Sequence, residues 1–354
     1  MNTNTPLLKL VSGRPAEPLD EAAVIGAKAR WATRAKPPGS LGRLETLATQ
    51  MAGITGQCPP KMPNNAKLVV FAGDHGVVAD NVTAWPQEVT AFMVETMAHG
   101  QAAVSVLASV SQAEVIVVDV GVANDVTHIA GVEHHKVRSG TASIAHQPAM
   151  SRAEADSAVT VGRSMAEALI ADGADLLLGG EMGIGNTTPA TALISAIVGI
   201  EPNQLCGPGA GLAPSQLGHK ADVIGNSIDR VRRESTQPLD ALDLLAQLGG
   251  LEIGALVGFY LAAAESKVPC IIDGVIALSA LCVADLMAPG TAKRMVGGHR
   301  SSEPAASAAL SYLEIEPVLD LNLRLGEGTG ACLAIPLVRA SVAALADMAE
   351  LPPM

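Results

Sequence analysis

The amino-acid sequence predicts an α/β fold: a parallel, Rossmann-like sheet with helices on both faces, next to a small helical domain. Short apolar runs, many of them β-branched, alternate with longer helix-forming segments, and each run ends at a glycine turn. This repeated order of strand, turn and helix is typical of a parallel sheet covered by its crossover helices. The chain is 49% hydrophobic but only 2% aromatic, and its small aliphatic residues allow helices to approach strands closely.

The composition argues against several classes of protein. The formal net charge is -12 and the sequence has no long run of Lys and Arg, so we expect no nucleic-acid partner. The most apolar stretches, Ile253–Ala264 and Ile271–Ala288, are too short for a membrane span or are interrupted by aspartates, so no membrane partner is expected. The chain opens without a secretory pattern and has no C-x-x-C pair, which favours a cytoplasmic protein with free cysteine thiols.

The first 60 residues predict two helices, over Glu21–Arg34 and Leu41–Ile54, with a break at Lys36–Ser40. A proline-rich link over residues 59–63 follows. We therefore expect a small helical domain at residues 1–60 and a large parallel α/β domain at residues 64–330.

Five strands are predicted within the large domain: Leu68–Phe71, Val115–Val120, Leu176–Leu178, Cys270–Ile272 and Val318–Leu325. A capping-box sequence, Ser151 with Glu154, predicts the start of an amphipathic helix that continues to Ala171. Ligands bind beyond the carboxyl ends of parallel strands, so the functional site is expected at the turns that follow the strands.

The turn over residues 179–189 contains four glycines and leads into an apolar helix. Thr188 is predicted as the N-cap and Pro189 as the first helical residue. Backbone N–H groups around Gly183, Gly185 and Asn186 could hold a phosphate there, because a helix N-terminus carries positive potential. The alternative is a tight turn that uses glycine only for its backbone freedom.

Glu327 is the strongest candidate for chemistry, because it lies between Gly326 and Gly328 at the end of a predicted strand. An apolar pocket would raise the pKa of its carboxyl toward the range of a general base, whereas the following helix start would lower it. The pattern also fits G-x-G-x-x-A, but too little chain follows for a dinucleotide-binding unit. The alternative is a solvated loop glutamate.

Three other features leave alternatives open. The glycine-rich loop over residues 207–212 and Lys220 could contact an anionic substrate, or could be an ordinary loop and a surface lysine. Asp74 and His75 could be an acid–base pair, but no neighbouring ligand cluster supports a metal site. Trp85 could line a pocket for a flat ring, or could fill the core.

Together these segments resemble the family that transfers phosphoribosyl from nicotinate mononucleotide to 5,6-dimethylbenzimidazole in cobalamin lower-ligand synthesis. The resemblance rests on five segments in the family's order: Lys36–Glu45, Gly73–Val77, Gly180–Thr188, Gly207–Lys220 and Arg324–Ala331. It implies a homodimer whose small helical domain joins residues 1–60 to a C-terminal helix over residues 331–354. The family needs no metal or organic cofactor.

The resemblance also implies roles for residues in the matching segments. Glu327 matches the catalytic glutamate, and Glu181 and Lys220 match polar residues near the reacting groups. The remaining substrate-binding candidates fall in the matching turns: Gly183, Gly185, Asn186, Gly209, Arg324 and Gly326. In the base-binding stretch this sequence carries Trp85 and Met93, which leaves the acceptor base undefined.

The implied chemistry is the displacement of nicotinate at C1′ by a ring nitrogen of the base, with inversion, and Glu327 accepts the proton that the base must lose. Two other functions are weighed against it. One is a non-catalytic protein that binds a nucleotide or corrinoid precursor without releasing nicotinate. The other is an NAD-linked oxidoreductase, which the short segment after Gly328 disfavours.

Overall fold

The computed structural model of the protein describes residues 6–352. Its six strands form one sheet: β1 (Ala66–Gly73), β2 (Ala113–Gly121), β3 (Val132–His134), β4 (Leu176–Met182), β5 (Cys270–Ile272) and β6 (Met295–Gly297). The strand order is β3-β2-β1-β4-β5-β6, and every neighbouring pair is parallel. The predicted parallel α/β fold is confirmed. The order reverses between β1 and β4, where such sheets open a ligand-binding crevice.

Thirteen α-helices surround the sheet within the described residues. They are α1 (Glu21–Thr33), α2 (Arg43–Thr55), α3 (Val89–Ala98), α4 (Ala103–Val110), α5 (Arg152–Ala171), α6 (Thr187–Val198), α7 (Pro202–Leu205), α8 (Leu217–Glu234), α9 (Ala241–Leu248), α10 (Leu251–Glu265), α11 (Val275–Met287), α12 (Pro304–Tyr312) and α13 (Thr329–Asp347). The predicted capping box at Ser151 and Glu154 is present at the start of α5.

Both faces of the sheet are buried, as the continuous apolar strands require. In β1, Val69 and Phe71 pack into one hydrophobic cluster, whereas Leu68 and Val70 pack into another on the opposite face. Helices α5 and α10 approach so closely on the first face that a Cβ at Gly162 would overlap the backbone of α10. The small core residues therefore serve close helix packing, as the composition predicts.

The terminal helices pack together. The guanidinium of Arg30 donates hydrogen bonds to the carbonyls of Leu345 and Ala346. However, α2 also packs against the sheet through Leu47 and Met51. The division into domains at residues 60–64 therefore stays a prediction, and residues 1–5 and 353–354 of the predicted small domain lie outside the described residues. A third hydrophobic cluster joins α1, α2 and the end of α13 through Ala23, Ala27, Trp31, Ala48, Ala52 and Leu345.

Three local predictions are wrong. Residues 318–325 form no strand, because Asn322 has a positive φ and only Leu319 makes an isolated bridge, to His299. Strand β4 continues through Gly179 and Gly180 to Met182, so these glycines lie in the sheet and not in a turn. Helix α6 starts at Thr187, which places Thr188 and Pro189 inside its first turn.

The C-terminal helix, which the sequence analysis did not consider as a membrane span, is long and apolar enough to cross a membrane by length and composition. In the described residues this is α13, whose most apolar window has a mean hydropathy of 1.6. However, 56% of that window is buried within the protein. Ala331, Ile335 and Val338 pack in the cluster beneath the sheet, which is the environment of a core helix.

Candidate active site

A cavity of about 780 Å³ opens at the carboxyl ends of β4, β5 and β6. Eight sequence-predicted site residues line it: Trp85, Glu181, Gly183, Asn186, Gly209, Arg324, Gly326 and Glu327. Gly185 and Lys220 lie outside its lining. The structure thus gathers residues more than 200 positions apart in the chain around one cavity.

Glu327 occupies a strained turn at the floor of this cavity. Its φ is 64°, and the flanking Gly326 and Gly328 have φ values of 87° and 95°. A left-handed conformation in a residue other than glycine costs about 1–3 kcal/mol and persists only where the surroundings enforce it. The side chain is only 5% exposed, so Glu327 is not a solvated loop residue.

The carboxylate of Glu327 meets the N-terminus of a helix, but not that of the helix that follows it. Its Oε2 accepts a hydrogen bond of 3.3 Å from the N–H of Val104, in the first turn of α4. Burial raises the pKa of Glu327; the Val104 N–H opposes this shift, and the charge of Asp273 adds to it. The net direction is upward, which suits a group that accepts a proton near neutral pH.

Glu181, the next-to-last residue of β4, lies beside this turn. Its Oε1 accepts a hydrogen bond of 3.3 Å from the N–H of Glu327, and its Oε2 accepts one from the Asn186 side chain. Burial, together with the nearby Asp273 and Glu252, holds the pKa of Glu181 well above its usual range. A Cβ at Gly326 would overlap the Glu181 carboxylate, so glycine is required there for close approach.

The turn between β4 and α6 presents fewer free amides than its glycine content implies. The N–H groups of Ile184, Asn186 and Thr188 already donate to Thr90, Gly183 and Gly185. The N-cap, Asn186, directs its side chain to Glu181 and not to the helix N-terminus. An anion at this helix start would therefore rely on the amides left over and on the helix macrodipole.

Lys220 is a buried residue of α8 and not a surface lysine. Its Nζ donates to Thr187 Oγ1 at 2.8 Å and to the Gly207 carbonyl at 3.0 Å. Burial lowers the pKa of its ammonium, although Cys206 and Glu303 partly oppose this shift. Lys220 therefore supports the cavity wall from behind, because Thr187 and Gly209 lie between it and the cavity.

Gly209 connects two of the charged side chains at the cavity. Its carbonyl accepts a hydrogen bond of 2.9 Å from Arg324, and its N–H donates to Glu303 Oε1 at 2.8 Å. Glu303 is buried, and its Oε2 has no hydrogen-bond partner among the described residues. The sequence analysis missed Glu303, although its position directly before Pro304 at the start of α12 could have indicated it.

The outer wall of the cavity is apolar and aromatic. Trp85 is 52% exposed at the rim, and its Nε1 donates to the Ala210 carbonyl at 2.9 Å. Val89, Phe92 and Met93 extend this wall along α3. Trp85 therefore lines the pocket and does not fill the core.

Asp74 and His75 lie behind the site and not in it. His75 Nε2 is 2.8 Å from Glu252 Oε1, and both side chains are buried. Burial lowers the pKa of His75, but Glu252 outweighs it, so the net direction is upward. Within residues 6–352, no group of three or more His, Cys, Asp or Glu side chains is arranged to hold a metal ion.

Two further polar residues at the cavity, His299 and Ser301, follow β6. Sequence analysis did not find them, because a three-residue strand leaves too weak a pattern to mark the turn after it. The sequence Gly297-Gly298-His299 is the only local signal.

Comparison with known proteins identifies the family. A family model described as Phosphoribosyltransferase matches residues 16–352. A protein of Chloroflexus aurantiacus named nicotinate-nucleotide–dimethylbenzimidazole phosphoribosyltransferase is 45% identical over 332 residues, which cover 94% of this chain and 93% of that protein. A protein of the same name from Pseudomonas fluorescens is 44% identical over 325 residues, or 92% of each chain.

A solved structure agrees with these relatives. The crystal structure of the Thermus thermophilus protein of that name superposes with a TM-score of 0.88 at 39% identity, covering 94% of this chain and 97% of the other. With a family model over nearly the whole chain, relatives above 40% identity and the same sheet, the chain belongs to the nicotinate-nucleotide–dimethylbenzimidazole phosphoribosyltransferase family and is a pentosyltransferase.

Proposed function

We propose that this protein transfers the 5-phosphoribosyl group of nicotinate mononucleotide to 5,6-dimethylbenzimidazole, with inversion at C1′ and with Glu327 as general base. The products are α-ribazole 5′-phosphate and nicotinate. The observation that carries the proposal is the buried carboxylate of Glu327, at the floor of a cavity whose opposite wall is aromatic and apolar. The names of relatives that match 92–94% of the chain support the same reaction.

The reaction breaks the C1′–N bond to nicotinate and forms a C1′–N bond to the base. Nicotinate leaves with the bonding electron pair and needs no proton, because its ring nitrogen is a pyridinium in the donor. The attacking nitrogen makes the benzimidazole ring cationic, and its other N–H then loses a proton to the Glu327 carboxylate. The raised pKa of Glu327 strengthens it as a proton acceptor.

The rest of the catalytic effect in this proposal is alignment. The cavity volume of about 780 Å³ lies within the range of small-molecule sites and can hold two flat rings and a ribose phosphate. The apolar wall of Val89, Phe92 and Met93 suits the dimethylbenzimidazole ring. The start of α6, with Lys220 behind it, suits the donor phosphate. No protein group acts as general acid.

The test is incubation of the purified protein with nicotinate mononucleotide and a panel of bases. Nicotinate release is followed by chromatography, and the anomeric configuration of the product by NMR. We expect nicotinate release that depends on the base, with an α-linked product from dimethylbenzimidazole. Binding of the mononucleotide without release would support the non-catalytic alternative, and a β-linked product would contradict inversion.

A homodimer is part of the proposal. Large apolar side chains that line the cavity remain exposed, among them Trp85, Phe92 and Leu325 at 52–63% exposure. Such a concentration of exposed apolar surface is typical of an interface. Sedimentation velocity measures the state directly, and a monomer at micromolar concentration would contradict this part of the proposal.

A further inference from the structure

Backbone amides of the Glu327 turn donate hydrogen bonds to carboxyl groups from two neighbouring strands. Glu181, at the end of β4, accepts the N–H of Glu327 at 3.3 Å. Asp273, directly after β5, accepts the N–H of Gly328 at 3.2 Å and the N–H of Ala331 at 3.0 Å. Three backbone amides of this strained segment are therefore fixed by side chains that are distant in sequence.

Asp273 is buried at the N-terminus of α13. Its side chain is 3% exposed, and it provides the cap that α13 otherwise lacks, because the N-cap residue Gly328 has no side chain. A carboxylate at a helix N-terminus is stabilised by the helix macrodipole. Its two hydrogen bonds reach the residue after Glu327 and the first turn of α13, so they determine the direction in which the Glu327 side chain leaves the turn.

His299 provides the countercharge. Its Nε2 lies 3.4 Å from Asp273 Oδ1, and the residue is 2% exposed. The ring also packs against the first turn of α13 so closely that a Cβ at Gly330 would overlap it. A residue at or just after the carboxyl end of each of β4, β5 and β6 therefore contacts the segment over residues 327–331: Glu181, Asp273 and His299.

We propose that Asp273 is a positioning residue that fixes the Glu327 turn, and that His299 balances the charge of Asp273. This inference rests on the proposed role of Glu327 as general base. Asp273 contacts the backbone on either side of the reacting group and acts through Glu327, not on substrate.

The charges around this pair give it a measurable signature. Burial lowers the pKa of His299, but Asp273 and Asp320 outweigh it, so the histidine is cationic over the acid range. The charge of Asp273 raises the pKa of Glu327. The other titratable groups that face the pair are Glu181 from β4, Glu252 and Tyr260 from α10, and Cys332 from α13. Burial raises the pKa of Glu181, Tyr260 and Cys332.

The two partners should therefore shift the pH profile in opposite directions. Asp273→Asn removes a negative charge and so lowers the pKa of Glu327. The acid limb of the pH profile, where kcat falls as Glu327 is protonated, therefore moves to lower pH. His299→Gln removes a positive charge, so the acid limb moves to higher pH. Asp273→Asn should also lower kcat by about 10- to 100-fold, the value of one hydrogen bond to a charged acceptor, with little change in KM for the mononucleotide.

Asp285 provides a matched control. Its Oδ1 also accepts two backbone N–H groups, from Gly290 and Ala292 at 3.0 and 2.9 Å, but it does not line the cavity. Asp285→Asn should lower the melting temperature as Asp273→Asn does, without changing kcat or the acid limb. If the two variants behave alike in all three measurements, Asp273 is only structural. Shifts of the acid limb in one common direction for Asp273→Asn and His299→Gln would also overturn the proposal.

A second measurement keeps this inference separate from the proposed function. In protein labelled with ¹³C at the glutamate side-chain carboxyls, the resonance absent from Glu327→Gln reports the titration of Glu327 without turnover. Opposite shifts of that titration in the two variants would support the pair even if no base accepts phosphoribosyl. Unshifted titration in both variants would overturn it even if the transfer reaction is confirmed.

Discussion

Two glycine-rich turns border the same cavity and both lead into helices, but they are built for different purposes. The turn over residues 326–328 consists of three successive left-handed residues, fixed by the buried carboxylates of Glu181 and Asp273. The turn over residues 183–186 contains one left-handed residue, Gly185, and its amides at Ile184 and Asn186 already donate to Thr90 and Gly183. The first turn stores strain to aim a side chain, whereas the second is a relaxed helix start.

The difference shows that glycine content alone does not identify a catalytic turn. Gly326 is needed because the Glu181 carboxylate occupies the space of a Cβ, and Gly180 is needed because the Glu327 backbone does. These glycines allow close approach between the end of β4 and the Glu327 turn. At Gly185 a Cβ would meet only the side chain of Val78, so the requirement there is mainly its positive φ.

The largest effect on turnover is expected from substitution of Glu327, the side chain in the strained turn. Glu327→Gln keeps the shape of the residue and its backbone contacts but removes the proton acceptor. We expect turnover to fall by about two to four decades with folding retained, which is the range for loss of a general base. Nicotinate release gives the rate, and thermal melting checks the fold. Unchanged turnover would end the assignment of Glu327 as base.

The turn over residues 183–186 can be tested by comparing donors with and without the phosphate. If the start of α6 holds the phosphate, with Lys220 supporting Thr187 from behind, nicotinate riboside should be a poorer donor than the mononucleotide by about 100-fold in kcat/KM, as expected for lost hydrogen bonds to a charged group. The same assay with both donors measures the ratio. Lys220→Met should reduce the ratio, whereas Lys293→Met, at an exposed position, should leave it unchanged. Equal use of both donors would contradict a phosphate site.

A matched pair of alanine variants compares the two turns directly. Gly326→Ala and Gly185→Ala both place a side chain on a left-handed backbone, so both should lose about 1 kcal/mol of stability. Only Gly326→Ala also displaces Glu181. We expect its kcat to fall by about tenfold, the effect of about 1.4 kcal/mol on a barrier, while Gly185→Ala keeps its kcat. Equal kcat values in the two variants would contradict different roles.

The sequence predicted what depends on neighbours along the chain. Alternating strands and helices predicted the parallel sheet, and the isolated carboxylate between two glycines predicted Glu327. The strands β3 and β6 were missed because three residues carry too little periodicity. Residues 318–325 alternate apolar and polar side chains as a strand does. They nevertheless form a loop, because the positive φ of Asn322 interrupts strand pairing.

The parts of the site that the sequence did not predict are tertiary. The helix terminus that touches Glu327 belongs to α4 and not to α13, so the sequence indicated the wrong helix as the opposing influence on its pKa. Asp273 precedes its backbone partners by more than fifty residues, and no local pattern connects them. The role of Lys220 stays a prediction, and its burial behind Thr187 could not be inferred from its place in the sequence.

The smallest effect on activity is expected from Trp85, at the rim of the cavity. Trp85 is half exposed, and its indole N–H donates to the Ala210 carbonyl, so its ring forms an edge of the outer cavity wall and is not buried. Trp85→Ser removes a stacking surface that contributes about 0.5–1.5 kcal/mol to a neighbouring ring. We therefore expect KM for dimethylbenzimidazole to rise severalfold, KM for the mononucleotide to change less, and a wider range of bases to be accepted. Tyr312→Ser, at an aromatic residue that is 45% exposed and lies outside the cavity lining, is the control for general loss of apolar surface. A fall in melting temperature with unaltered base preference would place the base-binding contact at other lining residues, such as Val89 and Met93, which are less exposed than Trp85.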